Sequence, residues 1–428
     1  MIKSNNILPQ GWISLEINEV FEFIGTSSFS RNDLNYEVDE ESIYYIHYGD
    51  IHATYKNAVL DFNKETRIPV LNKNIKPSAH LLKEGDLIIA DASEDYEGVG
   101  EALEVYNIKD KKVLAGLHTF ALRDKNNITA HGYRAYLFKN PEVKKRLKTI
   151  ATGSKVYGIS KGNLEKFKIT IPPLSEQQKI AKILATWDKA ILLHQQLIIN
   201  KKDNKKAIMK KLLTGEVRFK GFSEEWKEVR LGDLGEIKTS SVDKIFVEGE
   251  VIVSLVNYMD VYRNKSISKN FSCSKTSVNE RELQTFNLLK GDILFTPSSE
   301  TPNDIGHSCV ITEDLNNTVY SYHLVRYRFF NNESMSFVFR AYVFNNQNIL
   351  NEFAKRSTGS TRFTISKKDF EDIKARIPNS IEEQNMIASS LELLESEISV
   401  LENELISFQK QKQGLMQQLL TGKVRVKN

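Results

Sequence analysis

The chain has 428 residues, 59 Lys+Arg against 55 Asp+Glu (formal net charge +4), and two cysteines. That length supports two to four domains with sizeable cores, and a near-neutral bulk charge excludes nucleic-acid binding by overall charge alone. Cys273 and Cys309 argue against a disulfide framework and for a reduced, cytoplasmic setting; neither a signal peptide nor an apolar run of about 18 residues is visible, so no membrane span is expected.

Residues 1–172 read as a mixed α/β module. Leu87-Ile88-Ile89-Ala90 follows a Gly85-Asp86 turn as a buried strand, and Ser93-Glu94 comes just after it. Residues 132–151 read as helical, leading into the turn Thr152-Gly153-Ser154 and a short strand that stops at Pro172.

From residue 173 the period changes. Ile180, Leu184, Trp187, Ile191, His194, Ile198, Lys201, Lys205, Ile208 and Leu212 follow a 4-3-4-3 spacing, an a/d stripe over five heptads. Ser175 with Gln178 reads as a capping box and Gly215 as the closing residue. This segment, 173–221, is basic, with 11 Lys/Arg against four Asp/Glu.

Residues 222–379 read as a second α/β module. Ile293-Leu294-Phe295-Thr296 is a buried strand, 320–330 alternates as a strand, and 337–356 reads as helical. A last helix spans 380–428 with the stripe Ile387, Leu391, Leu394, Ile398, Leu401, Leu405, Phe408, Lys412, Leu415 and Leu419, closed by Gly422. It is acidic, with seven Asp/Glu against five Lys/Arg, and so suits the basic first helix. An antiparallel pairing puts Ile180 against Leu419, and Lys201 and Lys205 opposite Ile398 and Leu394. Those lysines either snorkel to the edge or form a basic ridge toward phosphates or a partner.

The second half restates the first. Leu212-Leu213-Thr214-Gly215 returns as Leu419-Leu420-Thr421-Gly422, 207 residues later. Trp12 pairs with Trp226, Gly85-Asp86 with Gly291-Asp292, Ser93-Glu94 with Ser299-Glu300, His118 with His323, and Arg134-Ala135-Tyr136 with Arg340-Ala341-Tyr342. Thr152-Gly153-Ser154 and Ile159-Ser160 match Thr358-Gly359-Ser360 and Ile365-Ser366 at an offset of 206. The period is far beyond a solenoid repeat, so this is a tandem domain duplication.

No phosphate-loop motif, His-Glu-x-x-His or paired Cys-x-x-Cys occurs, and no amino-methyltransferase signature; Ile171-Pro172-Pro173-Leu174 lacks the polar residue. Glu142-Val143-Lys144 with Asp124 upstream imitates a nuclease motif, but the second copy has Asn348-Ile349-Leu350 there. Neither a catalytic nor a metal site is expected.

Two variable α/β modules, each followed by a Glu-Gln pair and a long helix ending in Leu-Leu-Thr-Gly, resemble the specificity subunits of type I restriction-modification systems. The carrying motifs are Pro172-Pro173-Leu174-Ser175-Glu176-Gln177, Lys210-Lys211-Leu212-Leu213-Thr214-Gly215 and the paired Thr-Gly-Ser turns. The second copy departs from the double proline with Pro378-Asn379-Ser380-Ile381-Glu382-Glu383-Gln384. The resemblance implies tandem α/β target-recognition domains, 1–172 and 222–379, joined by two long helices in an antiparallel coiled coil. It implies that each domain reads half of an asymmetric bipartite site in double-stranded DNA, with the coiled coil setting the spacer. It further implies two docked modification (methyltransferase) subunits, which would carry S-adenosylmethionine, and restriction (translocase-nuclease) subunits in the full complex; this chain itself would hold no cofactor. Candidate DNA contacts, from turn placement and charge, are Lys155, Tyr157 and Lys161 in the first copy and Thr361, Arg362 and Lys367 in the second. Ser93-Glu94 and Ser299-Glu300 are weaker candidates, and His118 and His323 are expected to be structural. The alternatives are a specificity subunit of another bipartite methyltransferase system and a coiled-coil scaffold that binds proteins rather than DNA.

Overall fold

The computed structural model describes residues 8–55, 57–72 and 80–426. Chain contacts group into two compact units, Met1–Gln196 with Asn403–Asn428, and Leu197–Glu402. Each long helix therefore contributes its N-terminal part to one unit and its C-terminal part to the other.

Both units are built on the same five-stranded sheet. In the first the order is Phe21–Ile24, Thr119–Asp124, Leu87–Ala90, Ala102–Tyr106, Val59–Asp61. In the second it is Gly235–Thr239, Val325–Phe329, Ile293–Phe295, Ser308–Ile311, Ser266–Ile267. Neighbours are antiparallel except the last pair, which is parallel in both. The central strands Leu87–Ala90 and Ile293–Phe295 are buried on both faces, which is why their sequences run apolar without alternation. A second sheet differs between the copies: four strands including Lys112–Ala115 and Ile43–Ile46 in the first, three including Val251–Val256 in the second.

Two expectations are corrected and a third is sharpened. Residues 320–330 hold two strands, Thr318–Tyr320 and Val325–Phe329, because the chain turns between them with Leu324 N–H bonded to the Ser321 carbonyl. The helical stretch 132–151 is divided into two helices, Arg134–Lys139 and Pro141–Ile150. Asn140 caps the second of these, and Pro141 has no N–H with which to continue the first. The second copy breaks likewise into Phe337–Val343 and Gln347–Arg356, capped by Asn346. Ser175 caps nothing: the first long helix, Leu174–Thr214, starts one residue earlier, and the Pro173 carbonyl takes the Glu176 and Gln177 N–H groups. In the second copy, where one proline is lost, Ser380 does cap the helix Ile381–Leu419, its hydroxyl accepting from the Glu383 N–H at 3.3 Å.

The long helices pack together antiparallel. In the first unit Trp187 meets Phe408 edge-on at 6.1 Å and Asp188 pairs with Lys412; Ile180, Leu184, Leu419 and Leu420 share one core. In the second, Lys201 reaches Glu397 and Lys205 reaches Glu395, at 2.5 and 2.7 Å. The seam lysines thus leave the stripe sideways for acids of the facing helix. Leu184, Ile198, Leu391 and Ile398 are buried, and Trp187, Ile191, Leu394, Leu401, Leu405 and Phe408 are half-buried, while the positions between them are mostly exposed.

The repeated landmarks lock each module to the helices. Glu176 takes a bidentate bond from Arg425 (2.8 Å twice), and Glu383 takes the same from Arg218 (2.8 Å twice). The Gln177 carboxamide bridges Ala130 N–H and the Ile128 and Pro172 carbonyls, and Gln384 bridges Ser336 N–H and the Pro378 carbonyl. Asn140 donates to the Leu420 carbonyl and Asn346 to that of Leu213, satisfying helix-end acceptors. Arg134 and Arg340, both buried, donate to the carbonyls of Gly85 and Gly291. The Leu-Leu-Thr-Gly echo and the Glu-Gln pair are therefore two sides of one joint, made twice.

Candidate nucleic-acid interface

In each copy the buried central strand runs on, past a one- or two-residue bend, into a two-residue strand. In the first copy Ala92–Ser93 pairs antiparallel with Tyr157–Gly158. In the second Ser298–Ser299 pairs with Phe363–Thr364. Thr152 and Gly158 exchange both backbone bonds, at 2.9 and 2.8 Å, as do Thr358 and Thr364, and this closes the Thr-Gly-Ser turn. Gly153 (φ +136) and Gly359 (φ +146) are the residues the turn cannot replace: a Cβ there would lie 1.8 Å from the Val156 carbonyl oxygen or 2.0 Å from that of Arg362. The Ser-Glu segments and the Thr-Gly-Ser turns, distant in sequence, thus form one edge.

The first edge presents Lys155 and Val156 at its tip, both exposed. Tyr157 is half-buried, edge-on to Tyr96 at 5.2 Å. The Tyr96 hydroxyl donates to the Lys148 carbonyl (3.0 Å), and the Lys148 ammonium pairs with Glu97 (2.6 Å). Lys161 opens the short helix Lys161–Glu165 after the Ser160 cap; its ammonium lies over the Phe23 ring at 5.0 Å and 3.8 Å from Glu165. His118, with a left-handed backbone (φ 59), sits at the same edge, 3.5 Å from Asp91 and edge-on to Tyr48. Burial raises the Asp91 carboxyl pKa, and burial and then the Arg31 charge lower that of His47 beside Tyr48.

The second edge presents Thr361 and Arg362, both exposed. The Arg362 guanidinium folds back across the strand pair, Nε and Nη2 donating to the Ser298 hydroxyl at 3.2 and 3.0 Å. His323 stacks on Tyr322, with ring centroids 3.9 Å apart. Burial, and then the positive charges of Arg362 and Lys244, depress the His323 pKa against the opposing pull of Asp243. Tyr262 donates to Asp304 (2.9 Å), which also meets His307 at 3.1 Å. Lys367 repeats Lys161: it opens the helix Lys367–Glu371 and lies 3.7 Å from Glu371.

Of the six candidates, Lys155 and Tyr157 share one edge and Thr361 and Arg362 the other, while Lys161 and Lys367 stand one turn beyond, each engaged with its own helix. Sequence reasoning passed over Val156, Tyr258, Tyr322 and Lys244. Val156 could have been found, since the repeat sets it against Arg362; the others lie in segments where the copies differ in length.

Among the described residues no group of three or more His, Cys, Asp or Glu is arranged to hold a metal ion. In the nuclease-like motif Lys144 pairs with Glu101, and Asp124 accepts backbone N–H groups from Asn126, Ile128 and Thr129. Both cysteines are free, and no described helix is long and apolar enough to cross a membrane.

Residues 9–201 and 223–407 each match the type I restriction modification DNA specificity domain. The putative type I restriction enzyme MjaX specificity subunit of Methanocaldococcus jannaschii is 26% identical over 445 residues, covering 98% of this chain and 95% of that protein. The MjaVIII specificity subunit of the same organism is 29% identical over 335 residues, covering 74% and 76%. The crystal structure of the HsdS subunit from Thermoanaerobacter tengcongensis has the same fold, with a TM-score of 0.57 at 16% identity over 99% of this chain and 100% of that one. With the domain matched once in each half, and with two unlike edges on one repeated scaffold, the chain belongs to the type I restriction-modification DNA specificity family and is a non-catalytic specificity subunit.

Proposed function

We propose that the two edges read the two halves of an asymmetric, bipartite site in double-stranded DNA, in a cytoplasmic complex. The observation that carries this is the pairing of a repeated strand-and-turn edge with different tips: Lys155-Val156-Tyr157 in one copy and Thr361-Arg362-Phe363 in the other. Residues 1–172 and 222–379 are the two target-recognition domains, and 173–221 and 380–428 the spacer helices. Lys155, Tyr157, Lys161, Thr361, Arg362 and Lys367 are the DNA-facing set, with bases read at the tips and phosphates holding the register. Each wrong base pair costs roughly 1–3 kcal/mol, so two linked readers reach a selectivity that one cannot.

The paired helices serve as the ruler and as the docking surface for two modification subunits, which bring S-adenosylmethionine; restriction subunits complete the assembly. Inserting one heptad into each helix, between 195 and 205 and at the facing position, lengthens the pair by about 10 Å at 1.5 Å per residue, roughly three base pairs at 3.4 Å each. Methylome mapping of cells carrying the variant with its partner subunits should show both half-sites unchanged and the spacer altered. Methylation retaining the original spacer would end the ruler reading.

A further inference from the structure

We infer that Arg362 reads a guanine in the half-site bound by the second copy, and that Ser298 is the residue that positions it. The inference rests on the edge being a DNA surface, as proposed above, and adds which base it takes.

The argument begins with the guanidinium's five donors. One hydroxyl, Ser298 Oγ, accepts from Nε and Nη2 and so occupies one side of the planar group. Ser298 is itself buried and fixed by its pairing with Thr364, so the plane of the arginine is set by the sheet and not by solvent. The opposite end, Nη1 with the outer N–H of Nη2, makes no hydrogen bond to protein among the described residues. It is a pair of parallel donors on an exposed residue at the tip of a closed turn.

Two parallel donors match the two acceptors, O6 and N7, that guanine shows in the major groove. Adenine offers N7 beside an amino donor, and thymine and cytosine offer no such acceptor pair, so the fork discriminates. An arginine held only by its own flexibility would serve equally as a phosphate contact. One held in plane by a buried hydroxyl has lost less freedom on binding and is suited to bidentate recognition.

The first copy lacks the device. The repeat puts Val156 at the place of Arg362 and Ala92 at that of Ser298, and neither can donate or hold a donor. The guanine requirement therefore belongs to one half-site only.

The test uses the specificity subunit assembled with its modification subunits, as wild type, Arg362→Ala, Arg362→Lys and Ser298→Ala, with Gly359→Ala as a control that breaks the turn. Methylome mapping identifies the site, and binding is measured on duplexes carrying 7-deazaguanine at each guanine of the second half-site in turn. At one position the analogue should weaken wild-type binding about tenfold and weaken Arg362→Ala no further. Arg362→Ala should also lose the base requirement there. Arg362→Lys should restore general affinity without that requirement, and Ser298→Ala should relax it in part. If Arg362→Ala loses affinity equally for every sequence, the guanine assignment is overturned in favour of a phosphate contact; if Arg362→Lys keeps the base requirement in full, the in-plane fork set by Ser298 is overturned. If Arg362→Ala changes nothing while Gly359→Ala abolishes recognition of the second half-site, the assignment falls and the edge survives. If neither variant alters that half-site, the DNA-facing edge itself is wrong.

Discussion

The two edges share a strand pair, a closed turn and a glycine in the same strained region, yet Lys155 and Val156 stand where Thr361 and Arg362 stand in the other copy. The cores beneath them differ in the same manner. Phe295 is surrounded by Tyr327, Phe344, Phe353 and Phe370, with ring centroids 5.0–6.3 Å apart. The corresponding places in the first copy hold Ile89, Leu147 and Leu164 around Phe138. What does not change is the joinery: Arg134 and Arg340, Gln177 and Gln384, Glu176 and Glu383. The repeat thus preserves how a module is mounted and leaves free what it is filled with and what it displays.

The comparison can be pressed hardest in the cores. Phe353→Ala should cost about 3–5 kcal/mol and Leu147→Ala about 2–5 kcal/mol, with the larger loss in the aromatic core. Denaturant unfolding checks this, and near-neutral changes in both would show that neither core depends on the side chain beneath its edge. Next in size are the turns. Gly153→Ala and Gly359→Ala force a Cβ against a backbone carbonyl that cannot move aside, a strain of about 1–3 kcal/mol. Each should impair one half-site and spare the other by methylome mapping; equal damage to both half-sites would break the division of labour. A smaller effect separates the lysines. Lys155→Ala should lower the salt slope of binding by about one. Lys161→Ala and Lys367→Ala should lower it less, since each ammonium already has a glutamate close by; identical slopes for all three would erase that distinction. The smallest is spectroscopic. Arg362→Ala removes a cation that depresses His323, so the imidazole should titrate at higher pH by NMR. Because its folded pKa lies below the unfolded one, the unfolded chain binds more protons between the two, and this residue's penalty on stability shrinks as pH rises through that window. No movement on Arg362→Ala would mean that the Arg362 charge has no part in the shift.

Much of this was legible in the sequence. The heptad stripes marked the face along which the long helices pack, with Leu184, Ile198, Leu391 and Ile398 buried and Trp187, Ile191, Leu394, Leu401, Leu405 and Phe408 half-buried. The Thr-Gly-Ser repetition located the turns because only glycine fits them. What the sequence hid was long-range. The partners of Glu176 and Glu383 lie 249 and 165 residues away, and no local pattern signals a bidentate bond. The helical character of 132–151 and 337–356 is legible, but the second duty of Asn140 and Asn346, holding the end of a long helix, is not. Ser93 and Ser299 were weak candidates on their own and became part of an edge only when paired with Tyr157 and Phe363.

The joint between Glu176 and Arg425 has a consequence for the order of events during synthesis. The core of the first unit includes Leu419 and Leu420, packs against Leu415, Met416 and Val426, and is bolted by Arg425. The second unit is a single contiguous stretch, Leu197–Glu402. At about 5–20 residues per second, the half translated first waits on the order of tens of seconds for its final residues, while the half translated second closes almost as it emerges. The module made first is thus closed last, because its core takes in residues between 415 and 426 and that of the second module does not.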